Sequence, residues 1–527
     1  MNQTESHTAP PLAEAAPDRH VPALGRVLFA GSSALGVATL VERGCGFLAN
    51  LLAARVAGAT VFGTYSIAMT TANNVATYAG AGIGTTANRF SGEYPYGLPG
   101  YRGLLRTLGI VSLASAALAV GILWLAAAPL ATHLIRNAAL TQVLRLSALS
   151  AGAIILLECL RGLLIGQRRF AALLTLAAVF GTGMAVVLPL MATRGPSAMT
   201  LGQAAIALLA IAVCVAAAGP LKFAASSADG SRVRGPRPAD VIRFGFVQLA
   251  ATVGLNAAGW WVAALVARSD ISLAQAGLYA VALQLRNICS MPAGLVSQTA
   301  YAQLTDRGSQ QYGGATRVTI LSTIVATGVA LLVIGPIAAL MPWLVTHLYG
   351  RSFAGTELAA TLAVATGLIH MSAAPAASRL TVVSLPLTGI INGSWSVLLV
   401  GLGSWMVPGG GAASATLGFL LAHLFSAVAV LVALIRADAA SRDLLFSTLP
   451  AIAGSILIAT LGWVRAVAAH KAAASLAILF VTAVLLGITF YQGRKVSTTL
   501  RRITPATIAS NLWTVRDRLW GRGTFQY

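Results

Sequence analysis

The sequence contains one stretch twice: LAARVAGATVFGTYS at Leu52–Ser66 and LVARSDISLAQAGLYA at Leu265–Ala280. Matching positions are 213 residues apart before the turn and 214 residues apart after it, because the second copy has one additional residue. Each copy joins a long apolar segment to a second one. Six predicted helices separate the copies, so both copies cross a membrane in the same direction. Parallel repeats of this kind are common in transporters, in which the substrate binds between two lobes.

The composition excludes a soluble protein. Of the 527 residues, 57% are hydrophobic and only 9% are charged, and the mean hydropathy is +0.80. Soluble domains carry about 25% charged residues. This deficit rules out a soluble enzyme, a nucleic-acid-binding protein and a disordered scaffold. Fourteen segments between residues 28 and 491 reach the roughly 20 apolar residues that a membrane-spanning helix needs. They are continuous and rich in Ala and Leu, which predicts an all-α polytopic membrane protein rather than a β-barrel.

The net charge of +21 is explained mainly by membrane topology. Lys and Arg are concentrated on the cytoplasmic side of helical membrane proteins. With both termini in the cytoplasm, 25 of the 35 basic residues fall on that side and 7 on the other. The sequence therefore predicts a multi-pass protein with its N- and C-termini inside, and the basic residues do not indicate a nucleic-acid partner.

The repeat and the charge runs predict a domain organisation with two six-helix lobes and two additional helices. The boundaries are a disordered cytoplasmic tail at 1–26, an N-lobe at 27–219, a basic cytoplasmic linker at 220–240, a C-lobe at 241–436, helices 13 and 14 at 437–491, and a basic amphipathic cytoplasmic tail at 492–527.

Residue motifs in both halves resemble those of a known transporter family. LLAARVAGATVFGTY at Leu51–Tyr65, with Asn88-Arg89-Phe90 and Glu93-Tyr94 after it, resembles the first two helices of polysaccharide flippases. Val241–Asp306 resembles the start of the second lobe in that family. The family is the O-antigen and exopolysaccharide branch of the multidrug/oligosaccharidyl-lipid/polysaccharide exporter superfamily.

The resemblance implies a function and a location. It implies translocation of an undecaprenyl-diphosphate-linked oligosaccharide across the bacterial inner membrane by alternating access, for lipopolysaccharide or exopolysaccharide synthesis. A polysaccharide polymerase and chain-length proteins are then the expected partners, together with the lipid bilayer.

Three other functions remain as alternatives. Lipid II flippases usually show an Arg-Asp pair and a Pro-Asn where this chain has Ala54-Arg55-Val56 and Asn73-Asn74-Val75. Multidrug exporters of the same superfamily usually have twelve helices. A membrane-embedded polymerase or glycosyltransferase needs a polar loop or a carboxylate cluster, and the sequence has no catalytic constellation, nucleotide-binding loop or metal-binding spacing. We therefore expect a transporter without a cofactor rather than an enzyme.

Two arginines inside predicted helices are the main candidates for substrate binding. Arg43 and Arg286 each lie at mid-depth on an early helix of a different lobe, so we expect them to face a shared central cavity. A guanidinium is permanently charged and matches phosphate oxygens with two parallel hydrogen bonds. Such a cavity would suit a diphosphate head group. The alternative is that each arginine is paired with a carboxylate or with carbonyl groups.

Four titratable residues within the helices are candidates for coupling to protons or sodium: Glu42, Glu158, His370 and His423. Glu158 is also spaced to pair with Arg161 three residues later, and a lone His among apolar residues often serves only in helix packing.

Neutral polar and aromatic residues form a second set of candidates, because amides hydrogen-bond sugar hydroxyls and indole rings stack on pyranose faces. The amides are Asn73, Asn74, Gln248, Asn256, Gln284, Asn287 and Asn392, and the indoles are Trp260, Trp261 and Trp395. Amides also link membrane helices to one another, which is the alternative role for each of them.

Overall fold

The computed structural model describes residues 21–94, 100–218, 235–304, 314–437, 442–467 and 471–496. All regular structure in these ranges is helical. The predicted linker and both predicted tails lie mainly outside the described residues. Helix extends further at three of these boundaries than the sequence indicates, since it begins at Val21, resumes at Pro238 and continues to Val496.

Thirteen long helices make up the described part of the chain. In chain order they are α1 (Val21–Gly80), α2 (Ile83–Glu93), α3 (Tyr101–Pro129), α4 (Leu140–Gly166), α5 (Phe170–Ala192), α6 (Pro196–Ala218), α7 (Pro238–Arg268), α8 (Ala274–Leu304), α9 (Gly314–Ala339), α10 (Glu357–Val383), α11 (Leu385–Arg436), α12 (Arg442–Val467) and α13 (Lys471–Val496). Short helical turns at Leu130–Ile135, Met341–Leu344, Val345–Tyr349 and Arg351–Thr356 follow α3 or join α9 to α10.

Two of the helices are bent at a glycine. Gly58 in α1 has φ 74° and Gly411 in α11 has φ 53°, a backbone conformation that glycine adopts without steric cost. Beyond Gly411 the chain folds back on itself, since the rings of Trp395 and Phe419 on the two arms are 5.9 Å apart. The two arms of α1 likewise line one common cavity. Each bent helix therefore supplies two membrane spans.

The span count follows from these bends. Ten helical segments in the described residues are long and apolar enough to cross a membrane, and the bent α1 and α11 are among them. Counting two arms for each bent helix raises this number to twelve. The helices α7 and α8, with 31 residues each, bring it to fourteen. The prediction of an all-α polytopic membrane protein with about fourteen spans is confirmed for the described part of the chain.

The two copies of the repeat touch each other at equivalent positions. A Cβ added to Gly63 would lie 2.0 Å from the carbonyl oxygen of Leu273, and one added to Gly277 would lie 2.1 Å from that of Ala59. Ala59 corresponds to Leu273 in the repeat, and Gly63 corresponds to Gly277. A reciprocal contact of this kind is the expected result when two similar units are related by a twofold axis. Helix packing elsewhere fits the repeat, although the exact lobe boundaries remain a prediction.

The last two helices pack beside the C-terminal half of the chain, α12 against α10 and α13 against α9. Arg465 of α12, which the sequence places in an external loop, is instead 2% exposed. Its guanidinium donates hydrogen bonds to the carbonyl oxygens of Ala338 and Ala339 and to Thr361 Oγ1. A cation at the carbonyl end of α9 is electrostatically favourable and satisfies groups that the helix leaves unpaired.

Candidate functional site

Two adjoining cavities contain most of the predicted site residues. The first, which we call the N-cavity, has a volume of about 720 Å³ and is lined mainly by α1, α5 and α8. The second, the C-cavity, has a volume of about 530 Å³ and is lined by the second arm of α1 and by α7, α8, α10 and α11. Four residues line both cavities and separate them: Ser66, Thr70, Ala280 and Leu283. Both volumes lie within the range of ligand-binding pockets.

The two cavities are related by the sequence repeat. On the first helix of each copy, five lining positions correspond at an offset of 213: Glu42 and Leu255, Arg43 and Asn256, Gly46 and Gly259, Phe47 and Trp260, and Asn50 and Ala263. On the second helix, four correspond at an offset of 214: Phe62 and Ala276, Tyr65 and Tyr279, Ser66 and Ala280, and Met69 and Leu283. The same helix faces therefore line both cavities, and the side chains on them differ.

A network of charged side chains lies at one end of the N-cavity. Arg161 of α4 donates a hydrogen bond to Glu158 on its own helix and another, at 2.6 Å, to Glu42 of α1. The sequence indicates the local pair but not the contact with Glu42, since 119 residues separate the two side chains. Arg43 is exposed to the N-cavity, and no described side chain lies within hydrogen-bonding distance of its guanidinium.

Two hydrogen bonds at the N-cavity connect helices. Gln284 donates a hydrogen bond of 2.8 Å to the carbonyl oxygen of Phe47, which joins α8 to α1. Tyr65 donates a hydrogen bond to Gln203 of α6. Asn73 and Asn287, which are equivalent in the repeat, also line this cavity and are exposed to it. Tyr65 and Gln203 are not apparent as site residues from composition, although Tyr65 belongs to the repeated stretch.

The C-cavity contains cationic and imidazole side chains from three helices. The rings of His370 in α10 and His423 in α11 are perpendicular, with centroids 4.9 Å apart. Arg286 of α8 lies with its guanidinium carbon 5.5 Å from the ring centroid of Phe419. Its one hydrogen bond within the described part of the chain is a weak contact of 3.4 Å with Asn287. No Asp or Glu is among the described residues that line the C-cavity.

Aromatic and amide groups complete the C-cavity. Trp395 packs perpendicular to His423 with centroids 5.2 Å apart, and the Trp260 indole N–H donates to Thr71 Oγ1 at 3.1 Å. Three asparagines line the same space: Asn74, Asn256 and Asn392. The Tyr279 hydroxyl is buried and has no hydrogen-bond partner among the described residues.

The structure places Arg43, Arg286 and Trp261 differently from the expectations. Arg43 lines the N-cavity and Arg286 lines the adjoining C-cavity, and the repeat equivalent of Arg43 is Asn256 on α7. Trp261 is outside both cavities, with its indole N–H bonded to Ser404 on α11. Asn74 directs its amide to the carbonyl oxygen of Thr70 on its own helix, although it lines the C-cavity. The side chain of Gln248 lies outside the described residues.

Contacts at two ends of the helices hold the two halves of the chain together. Near Gly58, Arg55 donates a hydrogen bond of 2.5 Å to the carbonyl oxygen of His347, and Phe62 packs edge-on against Phe353. Toward the opposite end of the second α1 arm, Phe90 of α2 packs edge-on against Phe244 of α7. The guanidinium of Arg89 lies 4.4 Å from the same Phe244 ring. In this conformation the cavities therefore lie between two closed ends.

Comparison with known proteins identifies the fold. No protein-family model and no curated protein sequence matches the chain. The chain is similar to a solved structure of the lipid II flippase MurJ in an inward closed conformation, with a TM-score of 0.62 and 12% identity over 86% of this chain and 97% of that one.

Two further similar structures show a multidrug resistance MATE family transporter of the MOP superfamily. The outward-facing one has a TM-score of 0.51 and 13% identity over 78% of this chain and 96% of that one. The inward-facing one has a TM-score of 0.51 and 15% identity over 75% of this chain and 95% of that one. All three are flippases or transporters, and this chain is a multi-pass membrane protein with their fold.

Proposed function

We propose that this protein is a flippase that moves a lipid-diphosphate-linked oligosaccharide, such as an undecaprenyl-diphosphate-linked repeat unit, to the outer leaflet of the bacterial inner membrane. The observation that carries the proposal is Arg286 in a cavity with no acidic side chain among the described residues that line it. The likeness of the fold to flippases and exporters supports the transport class. The substrate assignment rests on the chemistry of the cavity and on the motifs of the repeat.

The charge of the C-cavity favours an anionic ligand. Removing a guanidinium from bulk water is costly unless an opposite charge or several hydrogen bonds replace the lost hydration. Arg286 has only the Phe419 ring and one weak contact with Asn287 in the described part of the chain. A diphosphate supplies the missing negative charge, and its oxygens match the geometry of the guanidinium.

The other groups of the C-cavity suit a sugar. Trp260 and Trp395 provide aromatic faces, and Asn256 and Asn392 provide amides that donate and accept hydrogen bonds. The Tyr279 hydroxyl, which has no hydrogen-bond partner among the described residues, also needs one. A glycan attached to the diphosphate would satisfy these groups in the same cavity. On this proposal the Asn73, Gln284 and Asn287 amides contact the part of the substrate that lies in the N-cavity.

Alternating access requires the two closed ends to open in turn. With both termini in the cytoplasm, the contacts of Phe90 and Arg89 with Phe244 form the inner closure, and those of Arg55 with the Val345–Tyr349 turn form the outer one. The contacts of Phe90 and Arg89 with Phe244 are aromatic and cation–π contacts, which are individually weak. The substrate enters when these contacts separate.

Ion coupling, on this proposal, uses titratable groups on both sides of the site. Glu42 and Glu158 share Arg161 beside the N-cavity, and His370 and His423 lie in the C-cavity. A proton or sodium ion that binds the carboxylates would weaken their hold on Arg161. Movement of α4 relative to α1 is the expected consequence.

The proposal is tested in cells by locating the lipid-linked repeat unit. Deletion of the gene should leave the intermediate on the cytoplasmic leaflet, where it does not reach the polymerase and chain-length proteins. Arg286→Ala should abolish export, and Arg286→Lys should retain part of it because a charge remains. Arg145→Ala is the matched control, since Arg145 lies beside Trp124 and lines neither cavity. Failure to assemble the glycan at all would identify an enzyme, and loss of resistance to lipophilic cations would identify a drug exporter.

A further inference from the structure

Three basic side chains from three helices meet in the C-cavity. Arg286 comes from α8, His370 from α10 and His423 from α11. The imidazole rings are 4.9 Å apart, and His423 and Arg286 both contact the Phe419 ring, at 6.1 Å and 5.5 Å between centres. The two histidines are therefore part of the same site as the arginine, which the proposed function assigns to the anionic head group.

No acid balances these groups within the described part of the chain. The titratable and charged side chains that line the C-cavity are Arg286 and Tyr279 from α8, His370 from α10 and His423 from α11. The polar side chains that α1 and α7 contribute to the lining are neutral: Ser66, Thr70, Asn74, Asn256 and Trp260. The histidines therefore face a permanent cation and each other, with no carboxylate to favour their protonation.

The hydrogen bonding of His423 shows which of its nitrogens can gain a proton. Its Nδ1 lies 2.8 Å from the carbonyl oxygen of Phe419, which can only accept a hydrogen bond. Nδ1 therefore carries a hydrogen and donates it. Nε2 is left as the atom that takes up a proton when the ring becomes cationic.

An anion in this cavity reverses the electrostatic situation of the two rings. Without an anion, a proton on either imidazole is repelled by Arg286 and by a proton on the other ring. With a phosphate-type anion beside Arg286, that repulsion is offset and each protonated ring gains a charge-assisted hydrogen bond. Binding of the anion and uptake of protons must then favour each other, since linkage is reciprocal.

We propose that the C-cavity is a proton-linked anion site, in which a phosphate or diphosphate group binds to Arg286 together with protons taken up by His370 and His423. This inference rests on the proposed function for the identity of the anion, but the linkage itself is a property of the cavity. Because of this proton uptake, the head group crosses the membrane with part of its negative charge neutralised. The protons come from the surrounding water and leave with the anion.

The first experiment measures binding of sulfate to the purified full-length protein in nanodiscs. Sulfate keeps the same charge between about pH 5.5 and about pH 8.5, a range that brackets the ordinary imidazole pKa of about 6.5. Quenching of tryptophan fluorescence reports binding, because Trp260 and Trp395 line the cavity. We expect the wild-type dissociation constant to be at least about tenfold larger at the high pH. Titration calorimetry in buffers of different ionisation enthalpy should detect net proton uptake.

Histidine variants test the assignment. The double variant His370→Gln, His423→Gln should bind sulfate with no pH dependence and with the affinity that the wild type has at high pH. Each single variant should lose part of the pH dependence of sulfate binding. The single variants therefore provide the test if the double variant does not fold. His133→Gln, an exposed histidine outside the cavity, should behave like the wild type. A wild-type affinity that does not change with pH, or a double variant that keeps the full dependence, would overturn the proposal.

A competition experiment separates this inference from the proposed function. If the natural anion is a lipid head group, undecaprenyl diphosphate in the nanodisc should displace sulfate. If the natural anion is soluble, free pyrophosphate should displace sulfate and undecaprenyl diphosphate should not. The second result would contradict the flippase proposal. It would leave proton-linked anion binding supported, because the sulfate titration measures that linkage without any lipid diphosphate present.

Discussion

The N-cavity and the C-cavity have the same architecture and opposite chemistry. Equivalent positions on the first helix of each repeat carry Glu42 and Arg43 in one cavity but Leu255 and Asn256 in the other. The N-cavity borders an ion network in which the carboxylates of Glu42 and Glu158 share the guanidinium of Arg161. In its described lining, the C-cavity has a guanidinium and two imidazoles and no acid.

This difference indicates a division of labour. A network that contains both acids and a base can exchange partners within the protein, and so it suits a conformational or ion-coupling role. An unbalanced cationic cavity needs a partner from outside, and so it suits ligand binding. The repeat preserves which helix faces line a cavity, and substitution at a few of those positions changes what the cavity can bind.

After loss of Arg286 itself, the largest effect is expected when an acid is added to the C-cavity. Asn392→Asp places a carboxylate in the cavity that contains Arg286, where it competes with an anionic substrate. We expect export of the lipid-linked oligosaccharide to fall by at least about tenfold, which corresponds to about 1.4 kcal/mol of lost binding. The assay is the rate of glycan export in cells with matched protein levels. Asn392→Leu removes the amide without adding charge, and equal losses in both variants would contradict the electrostatic account.

A second prediction concerns the ion network beside the N-cavity. Arg161→Leu leaves Glu42 and Glu158 without their shared cation, and removal of one partner from a buried ion pair costs about 3–5 kcal/mol. The side chains here are 23%, 25% and 44% exposed, so we expect a smaller loss of about 1–3 kcal/mol. Thermal unfolding in detergent measures it. Adding Glu42→Gln and Glu158→Gln to the variant should recover most of the loss, and absence of recovery would show that packing of Arg161, not its charge, is what matters.

The contact between the repeats provides a third prediction. Gly63→Ala and Gly277→Ala each place a methyl group about 2 Å from a backbone carbonyl of the other repeat. Backbone cannot move aside easily, so we expect each variant to lose about 1–3 kcal/mol of stability and to lose it to a similar degree. Gly109→Ala is the control, because nothing lies near its added Cβ. Very different effects at Gly63 and Gly277 would argue against an equivalent contact.

The smallest effect is expected at the turn where the two repeats differ. Asp270 accepts hydrogen bonds from the backbone N–H of Ser272, the Ser272 hydroxyl and the backbone N–H of Gln275, at 2.9, 2.8 and 3.1 Å. Burial acts to raise the pKa of Asp270, but these hydrogen bonds outweigh it and lower the pKa below the usual value. Its contribution to stability is therefore present above the ordinary Asp pKa of about 3.9 and is lost as the pH falls through the lowered value.

Asp270→Asn should accordingly lower the melting temperature slightly at neutral pH and have no effect in strong acid. Melting curves of both proteins from neutral to acid pH measure this convergence. A difference that persists in strong acid would mean that the charge of Asp270 is not the cause.

The sequence predicted the spans and the repeat well, because apolar length and a conserved offset within one chain are local properties. Composition also identified Arg286, His370 and His423 as unusual, since charged and imidazole groups are costly in hydrocarbon. It did not predict that they meet, because that depends on how α8, α10 and α11 pack. For the same reason the contact of Arg161 with Glu42 and the burial of Arg465 were not apparent.

Arg43 and Arg286 were expected in one cavity, and the structure places them in two adjoining cavities. A similar distance along two membrane helices does not mean an equivalent position in the repeat. Arg43 corresponds to Asn256 and Arg286 corresponds to Ala72, so neither arginine is the counterpart of the other. The extension beyond Val496, which the sequence predicts to be an amphipathic helix, remains a prediction because it lies outside the described residues.

The most direct test of the central claim is a flipping assay with purified protein in proteoliposomes. A fluorescent lipid-diphosphate-linked oligosaccharide is incorporated, and the fraction exposed to an impermeant reagent is followed over time. We predict that the wild type and Arg145→Ala expose the inner-leaflet lipid rapidly and that Arg286→Lys exposes it at a reduced rate. With Arg286→Ala, the rate of exposure should equal that of liposomes without protein. A wild-type rate for Arg286→Ala, or no activity of the wild type above empty liposomes, would contradict the account.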